Sequence, residues 1–226
     1  MPAPANASPD LADLTLEELA QALAPAVADA AIFDGWSEKA VAAAAELEGI
    51  DPDVARLAYP GGAMDMIAAW IAETDRAMAE ALPADMLQQM GFGGRIKALL
   101  IFRLEHVADR REALRRALAV MAKPQNVVRA AKLGWSSADL MWRMAGDTAA
   151  DFNHYSKRAI LASIYAATLA VFVDDESENQ ADTYAFLDRR LEDVARFGKA
   201  KARLTGADRE RFSPARLLGR LRYPVR

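Results

Sequence analysis

Ala159 to Val173 is a run of fifteen residues without a charge, bracketed by Lys157-Arg158 on one side and Asp174-Asp175 on the other. As a helix rising 1.5 Å per residue it reaches roughly 22 Å, short of the roughly 30 Å hydrocarbon core of a bilayer. The run therefore predicts a buried helix of a soluble protein, not a membrane span. The residues before it have the opposite character. Trp135, Trp142, His154 and Tyr155 interleave there with Asp147, Asp151, Lys157 and Arg158. Ser136-Ser137-Ala138-Asp139 has the pattern of a capping box opening a short helix, which Gly146 interrupts. Asp147 or Thr148 then caps the long helix, with Asp151 in its first turns favouring the dipole. In that helix His154, Arg158, Leu161 and Tyr165 share one stripe, and Phe152, Tyr155, Ala159 and Ala162 its neighbour. Its start is read as an aromatic and charged surface patch and its far end as core.

The remainder of the chain is helical in pattern. Helix formers dominate a composition that is 53% hydrophobic, β-branched clusters are few, and 226 residues suit one domain with a substantial core. Residues 1–13 read as a disordered Pro/Ala-rich start. Thr15 with Glu18 predicts a capped first helix to about Ala31, with Pro25 inside it. A second helix runs from Ser37 to Glu48, closed by Gly49, and Asp51-Pro52 opens a short third one to about Tyr59. Further helices are expected over Ala63–Ala81, Arg95–Val107, Arg111–Ala122, Gln125–Leu133 (closed by Gly134) and Ala181–Lys201.

Charge is distributed unevenly. Residues 1–60 hold 2 basic and 11 acidic side chains (−9), and residues 199–226 hold 9 basic and 2 acidic ones (+7). No residue before Lys39 is basic, which predicts neither a secretory signal nor a transit peptide and points to a bacterial cytoplasmic protein. The absence of cysteine excludes disulfides and thiol chemistry. The segment DPDVARLAY occupies the place of a recognition helix in a helix-turn-helix head, yet carries two Asp against one Arg. DNA, whose affinity for proteins comes mostly from phosphate neutralisation, would be repelled by such a face.

Catalytic chemistry finds little support. His106 and His154 are the two histidines, and Asp151 with His154 falls short of the paired Glu-x-x-His set of a di-iron site. His106 beside Glu105 reads as a surface ion pair, and no serine has an identifiable His base. We therefore expect no enzyme activity, no metal and no cofactor.

AGD-(x)3-DFN-x-Y-x-KR-(x)5-IY-(x)2-T, with Phe186-Leu187 and Arg190 downstream and Phe33-Asp34-Gly35-Trp36-Ser37 and Tyr59-Pro60-Gly61-Gly62 upstream, resembles the Coq-nine accessory family of coenzyme Q biosynthesis. The similarity spans about Leu14 to Lys201, and His154 stands where the family usually has Trp. The resemblance implies an all-α, TetR-like bundle of about nine helices. It would comprise a degenerate head at 14–62 and a ligand-binding and dimerisation bundle at 63–201, followed by a basic tail at 202–226. It implies an isoprenoid quinone intermediate as ligand, the di-iron demethoxyubiquinone hydroxylase as partner, and a peripheral place on the inner face of the cytoplasmic membrane. Met66, Trp70, Leu100, Leu104, Ile164 and Thr168 are then candidates for lining a lipid pocket, whereas by pattern alone such residues are more often plain core. Met141, Met144, Asp151, His154 and Tyr155 form the candidate hydroxylase dock, with a packed corner as the bland alternative. A ligand-responsive regulator and an unassigned lipid carrier are the competing functions, and a homodimer is expected.

Ser213-Pro214 opens an amphipathic helix to about Tyr223, with Leu217, Leu218 and Leu221 within one arc flanked by Arg216 and Arg220. Ten residues need something else to order them. The alternatives are the acidic head, making the tail a latch, and an anionic bilayer, where Leu burial and Arg attraction act together.

Overall fold

The computed structural model describes residues 14–147 and 152–205. Among them are ten α-helices: α1 (Leu16–Asp34), α2 (Glu38–Leu47), α3 (Pro52–Leu57), α4 (Ala63–Ala81), α5 (Ala84–Gln88), α6 (Phe92–His106), α7 (Arg111–Met121), α8 (Val127–Met144), α9 (Phe152–Asp174) and α10 (Ala181–Thr205). The fold is all-α, as expected.

Local chemistry sets the starts of α1 and α3. Thr15 accepts a hydrogen bond from the Glu18 amide at 3.3 Å while the Glu18 carboxylate accepts from the Thr15 amide at 2.9 Å, so the box at the head of α1 is closed reciprocally. Asp51 caps α3 through the Asp53 amide at 2.8 Å, with Pro52 in the first helical position. Positive φ at Gly35 and Gly49 lets the chain leave α1 and α2 in the left-handed region.

The head formed by α1–α3 is tied to the bundle by its aromatic residues. Trp36 Nε1 donates to the Ala113 carbonyl at 3.0 Å, and its ring lies 5.3 Å from that of Trp70. Within the head itself, Tyr59 donates its hydroxyl to the Ala20 carbonyl of α1 at 2.8 Å. Within α3, Arg56 is ion-paired with Asp53 on the same helix, which leaves this segment with no surplus cation.

Two expectations are corrected. The chain does not break at Gly134, and Ser136-Ser137-Ala138-Asp139 opens no helix: α8 runs straight through both. Tertiary partners claim the would-be capping groups, as Ser137 Oγ donates to Asp75 and Asp139 pairs with Arg143 and Arg158. The second concerns the uncharged run. Leu161, Ile164, Thr168 and Phe172 of α9 are buried, but Ala159, Ser163, Ala167 and Ala170 face outward. By length and composition Tyr155–Asp174 is apolar enough to cross a membrane, and 39% of its most apolar stretch is buried in the fold. The run is therefore core on one face only.

The turn from α9 to α10 is organised by Asp175. Its carboxylate accepts from the amide and hydroxyl of Ser177 at 2.8 and 2.5 Å and from those of Thr183 at 2.8 and 2.5 Å. Burial alone would raise its pKa, but these four donors outweigh it and hold the carboxyl well below the usual range. A depressed folded-state pKa contributes stability that is complete above the ordinary value near 3.9 and is lost as pH falls below it. Asp175→Asn should cost about 1–3 kcal/mol near pH 7. In urea titrations the gap from wild type should narrow below about pH 4. A gap that stays constant from neutral to acid pH would show that the carboxylate charge is not what holds the turn.

Candidate functional site

A cavity of about 570 Å³ lies among α4, α6, α7, α8 and α9. The α4 wall is the stripe Ile67, Trp70, Ile71 and Thr74, spaced i, i+3, i+4, i+7. α9 supplies Ala162, Tyr165, Ala166 and Leu169 in the same spacing. Leu114, Ala117, Leu118 and Met121 of α7 close one side, and Val127, Ala130, Ala131, Gly134 and Trp135 of α8 the other. A second, open groove of about 480 Å³ shares Val127, Ala131 and Trp135 with the cavity and adds Val128 and Lys132.

Of the six residues proposed from sequence as a pocket lining, Trp70 lines the cavity. Met66, Leu100, Leu104, Ile164 and Thr168 are buried in the core but are not part of the wall. The error is one of helical phase, since a shift of one residue turns a side chain by about 100°. On α4 the cavity faces Ile67 rather than Met66, and on α9 Tyr165 and Leu169 rather than Ile164 and Thr168. The contributions of α7 and α8 were missed altogether, because periodicity shows which face of a helix is apolar and not which helices meet.

One corner of this apolar wall is polar. Arg103, 2% exposed, lines the cavity together with Thr74, Ser137 and Tyr165. Its guanidinium pairs with Asp75 through Nη1 and donates to Ser137 Oγ from Nη2 at 3.3 Å, while Ser137 Oγ donates to Asp75 at 3.2 Å. The guanidinium carbon stands 4.9 Å from the centre of the Tyr165 ring. Burial alone would lower the Arg103 pKa, but Tyr165 and Asp75 overcome it and raise the value, so the group is charged.

The candidate partner patch is not assembled as expected. Met141 is fully buried and Met144 partly so, both packed in the core rather than displayed. Asp151 and the side chain of His154 lie outside the described residues. Tyr155 is 63% exposed and stacks on Trp135 with ring centres 6.1 Å apart, which brings it beside the cavity wall. Arg158, assigned to the same surface by its phase, is instead 2% exposed. Its Nε donates to Asp139 at 2.5 Å and its Nη1 to Asp147 at 3.4 Å. Lys157 also reaches Asp147, at 2.7 Å. His106 does not pair with Glu105: its Nε2 lies 3.0 Å from Glu73 and its ring stacks on Phe102. The tail residues Arg216, Leu217, Leu218, Arg220 and Leu221 lie outside the described residues.

The architecture is shared with a TetR transcriptional regulator from Nitrosomonas europaea, at a TM-score of 0.63 and 20% identity over 79% of this chain and 98% of that one. Residues 127–198, from the cavity's α8 wall into α10, match the COQ9 family model. The mitochondrial ubiquinone biosynthesis protein COQ9 of Rattus norvegicus is 31% identical over 171 residues, 73% of this chain and 54% of that protein. The human COQ9 protein is 30% identical over the same shares. The chain thus spans about half the length of the curated relatives it matches. With an all-α fold and sequence similarity running through the cavity-bearing helices, this chain is similar to the COQ9 family of ubiquinone biosynthesis proteins.

Proposed function

We propose that the protein is a non-enzymatic accessory factor of ubiquinone biosynthesis that holds an isoprenoid quinone intermediate in its cavity and presents it to the demethoxyubiquinone hydroxylase. The observation that carries this reading is the partly open, almost wholly apolar cavity of about 570 Å³ between α4 and α6–α9. Ligand pockets of roughly 300–1,000 Å³ bury a drug-sized molecule, so the cavity suits a ring and the start of its chain, while a long polyprenyl tail must leave it. The open groove on α8 offers that exit. Native mass spectrometry of protein purified from a quinone-making host should show a co-purified isoprenoid quinone precursor. Protein that is ligand-free by this measure, and takes up none from membranes, would remove the carrier function.

The hydroxylase dock in this reading centres on Tyr155, exposed on α9 and stacked on Trp135 at the cavity wall. Truncating an aromatic interface anchor costs about 1–4 kcal/mol. Tyr155→Ala should therefore weaken hydroxylase capture by about fivefold or more in a pull-down and leave the circular dichroism melt unchanged. Wild-type capture by the variant would take this patch out of the interface. The outward Ala159, Ser163, Ala167 and Ala170 face of α9 would pair across a two-fold axis with the exposed Val194 and Phe197 of α10 nearby. The basic tail would hold the dimer to anionic lipid.

A further inference from the structure

We propose that the surface around the start of α8, at the mouth of the cavity, rests on an anionic bilayer and forms a membrane contact separate from the basic tail. The inference deepens the carrier reading above by saying where lipid would pass between bilayer and protein. Its first ground is packing. None of residues 127–136 is buried, whereas Ser137, Ala138 and Met141 further along α8 are. The first half of the helix thus lies on the bundle with much of its surface uncovered. Val127 and Val128 are 50% and 69% exposed, and Ala131 is exposed beside them. Val127, Ala131 and Trp135 also line the cavity, so this apolar surface is the rim of its opening. An exposed apolar patch rimmed by polar residues marks a site of protein or membrane contact.

Charge is the second ground. The chain has a net charge of −4, yet no acidic residue occurs between Glu112 and Asp139. That stretch holds Arg115, Arg116, Lys123, Arg129 and Lys132. Glu112 pairs with Arg115 and Arg116, and Asp65 with Arg129. Lys123 and Lys132 are exposed and pair with no carboxylate among the described residues. Asn126 donates its side-chain amide to the Val120 carbonyl at 2.8 Å and does not cap α8. The first-turn amides and the positive end of the helix dipole therefore add to the same surface.

Composition selects a bilayer over a protein. Interface cores favour aromatic residues and Arg and are depleted in Lys. Here the unpaired cations are lysines, whose long stems lie along apolar surface while the ammonium reaches a lipid phosphate. Trp135, half-buried at the rim, is of a type that settles at the headgroup level. A protein seated on this rim would close the cavity, whereas a bilayer joins its apolar wall to hydrocarbon. Valine burial and lysine attraction then act together.

Because the chain has no cysteine, a single introduced one reports its own surroundings. The full chain carrying Val128→Cys, labelled with a polarity-sensitive fluorophore, is mixed with vesicles of phosphatidylcholine and phosphatidylglycerol. Its emission should shift to the blue and be quenched by nitroxide-bearing lipid. The same label at Leu57→Cys on α3, a site 63% exposed, should stay in water. Vesicles of phosphatidylcholine alone should give no Val128 signal, and added salt should weaken it. In unlabelled chains, Lys123→Gln together with Lys132→Gln should weaken partition into the mixed vesicles about thirtyfold. Val128→Glu should weaken it by about tenfold or more, and these exposed positions should leave the circular dichroism melt unchanged. A Val128 label that stays in water, whether or not the protein sediments with vesicles, would overturn the contact. Wild-type partition by both variants would overturn it as well. Variants that lose hydroxylase capture and keep their hold on vesicles would make the rim a protein interface and overturn the bilayer assignment. None of these results touches the carrier reading, which stands or falls on co-purified quinone.

Discussion

Arg158→Leu is expected to lower the melting temperature by roughly 6–12 °C, an effect out of proportion to one side chain on a surface-lying helix start. Arg158 is 2% exposed and bridges Asp139 of α8 to Asp147 in the connection between α8 and α9. Removing one partner of a buried ion pair costs about 3–5 kcal/mol, because the remaining charge loses its compensation in a low-dielectric site. The low end of that range applies here, since Lys157 still reaches Asp147 and Arg143 still reaches Asp139. About 3 kcal/mol in a chain of this length corresponds to roughly 2–4 °C per kcal/mol. Arg158→Lys should recover part of the loss, as one ammonium cannot span both carboxylates. Differential scanning calorimetry decides the matter: a shift under about 2 °C for the Leu variant would mean that solvent screens the network.

Sequence reading succeeded where the determinants are local. The capping box at Thr15, Pro52 at the start of α3, and the bounds of α4 all follow from residues within one turn of the feature they set. It failed where a local signal competes with a distant partner. The Ser137 hydroxyl serves the Arg103–Asp75 pair rather than a helix start, and those partners lie 34 and 62 residues away. Arg158 shows the same limit. Its phase on α9 follows from the sequence, but nothing nearby in sequence announces Asp139, the partner that lets a charged residue at that phase be buried. For the site, the contribution of α4 was legible to within one residue, Trp70 being on the wall and Met66 just off it. Choosing α7 and α8 as the remaining walls needs the packing of helices, which hydrophobic periodicity does not encode.

Gly134→Leu is expected to leave the fold as stable as wild type or more so while abolishing ligand uptake. Glycine within a helix costs about 1 kcal/mol relative to alanine, so its place in the middle of α8 runs against propensity. Its backbone does not require it, since the positive-φ glycines lie elsewhere, at positions 35, 49, 62 and 146. Packing does not require it either: a Cβ built at Gly134 meets nothing within 4 Å. What the residue does is line the cavity, between Leu133 and Trp135 on the α8 wall. A local rule broken without a structural reason is the signature expected where function sets the residue. Gly134→Ala should therefore raise stability by up to about 1 kcal/mol with modest effect on uptake. The bulkier leucine keeps the helical gain and occupies space that the ligand would use. Co-purified quinone, quantified by mass spectrometry after extraction, should fall below a tenth of the wild-type amount in the Leu variant. If Gly134→Leu is as stable as wild type and still loads fully, the ligand does not pass this wall, and the cavity between α4 and α8 is not where the protein carries it.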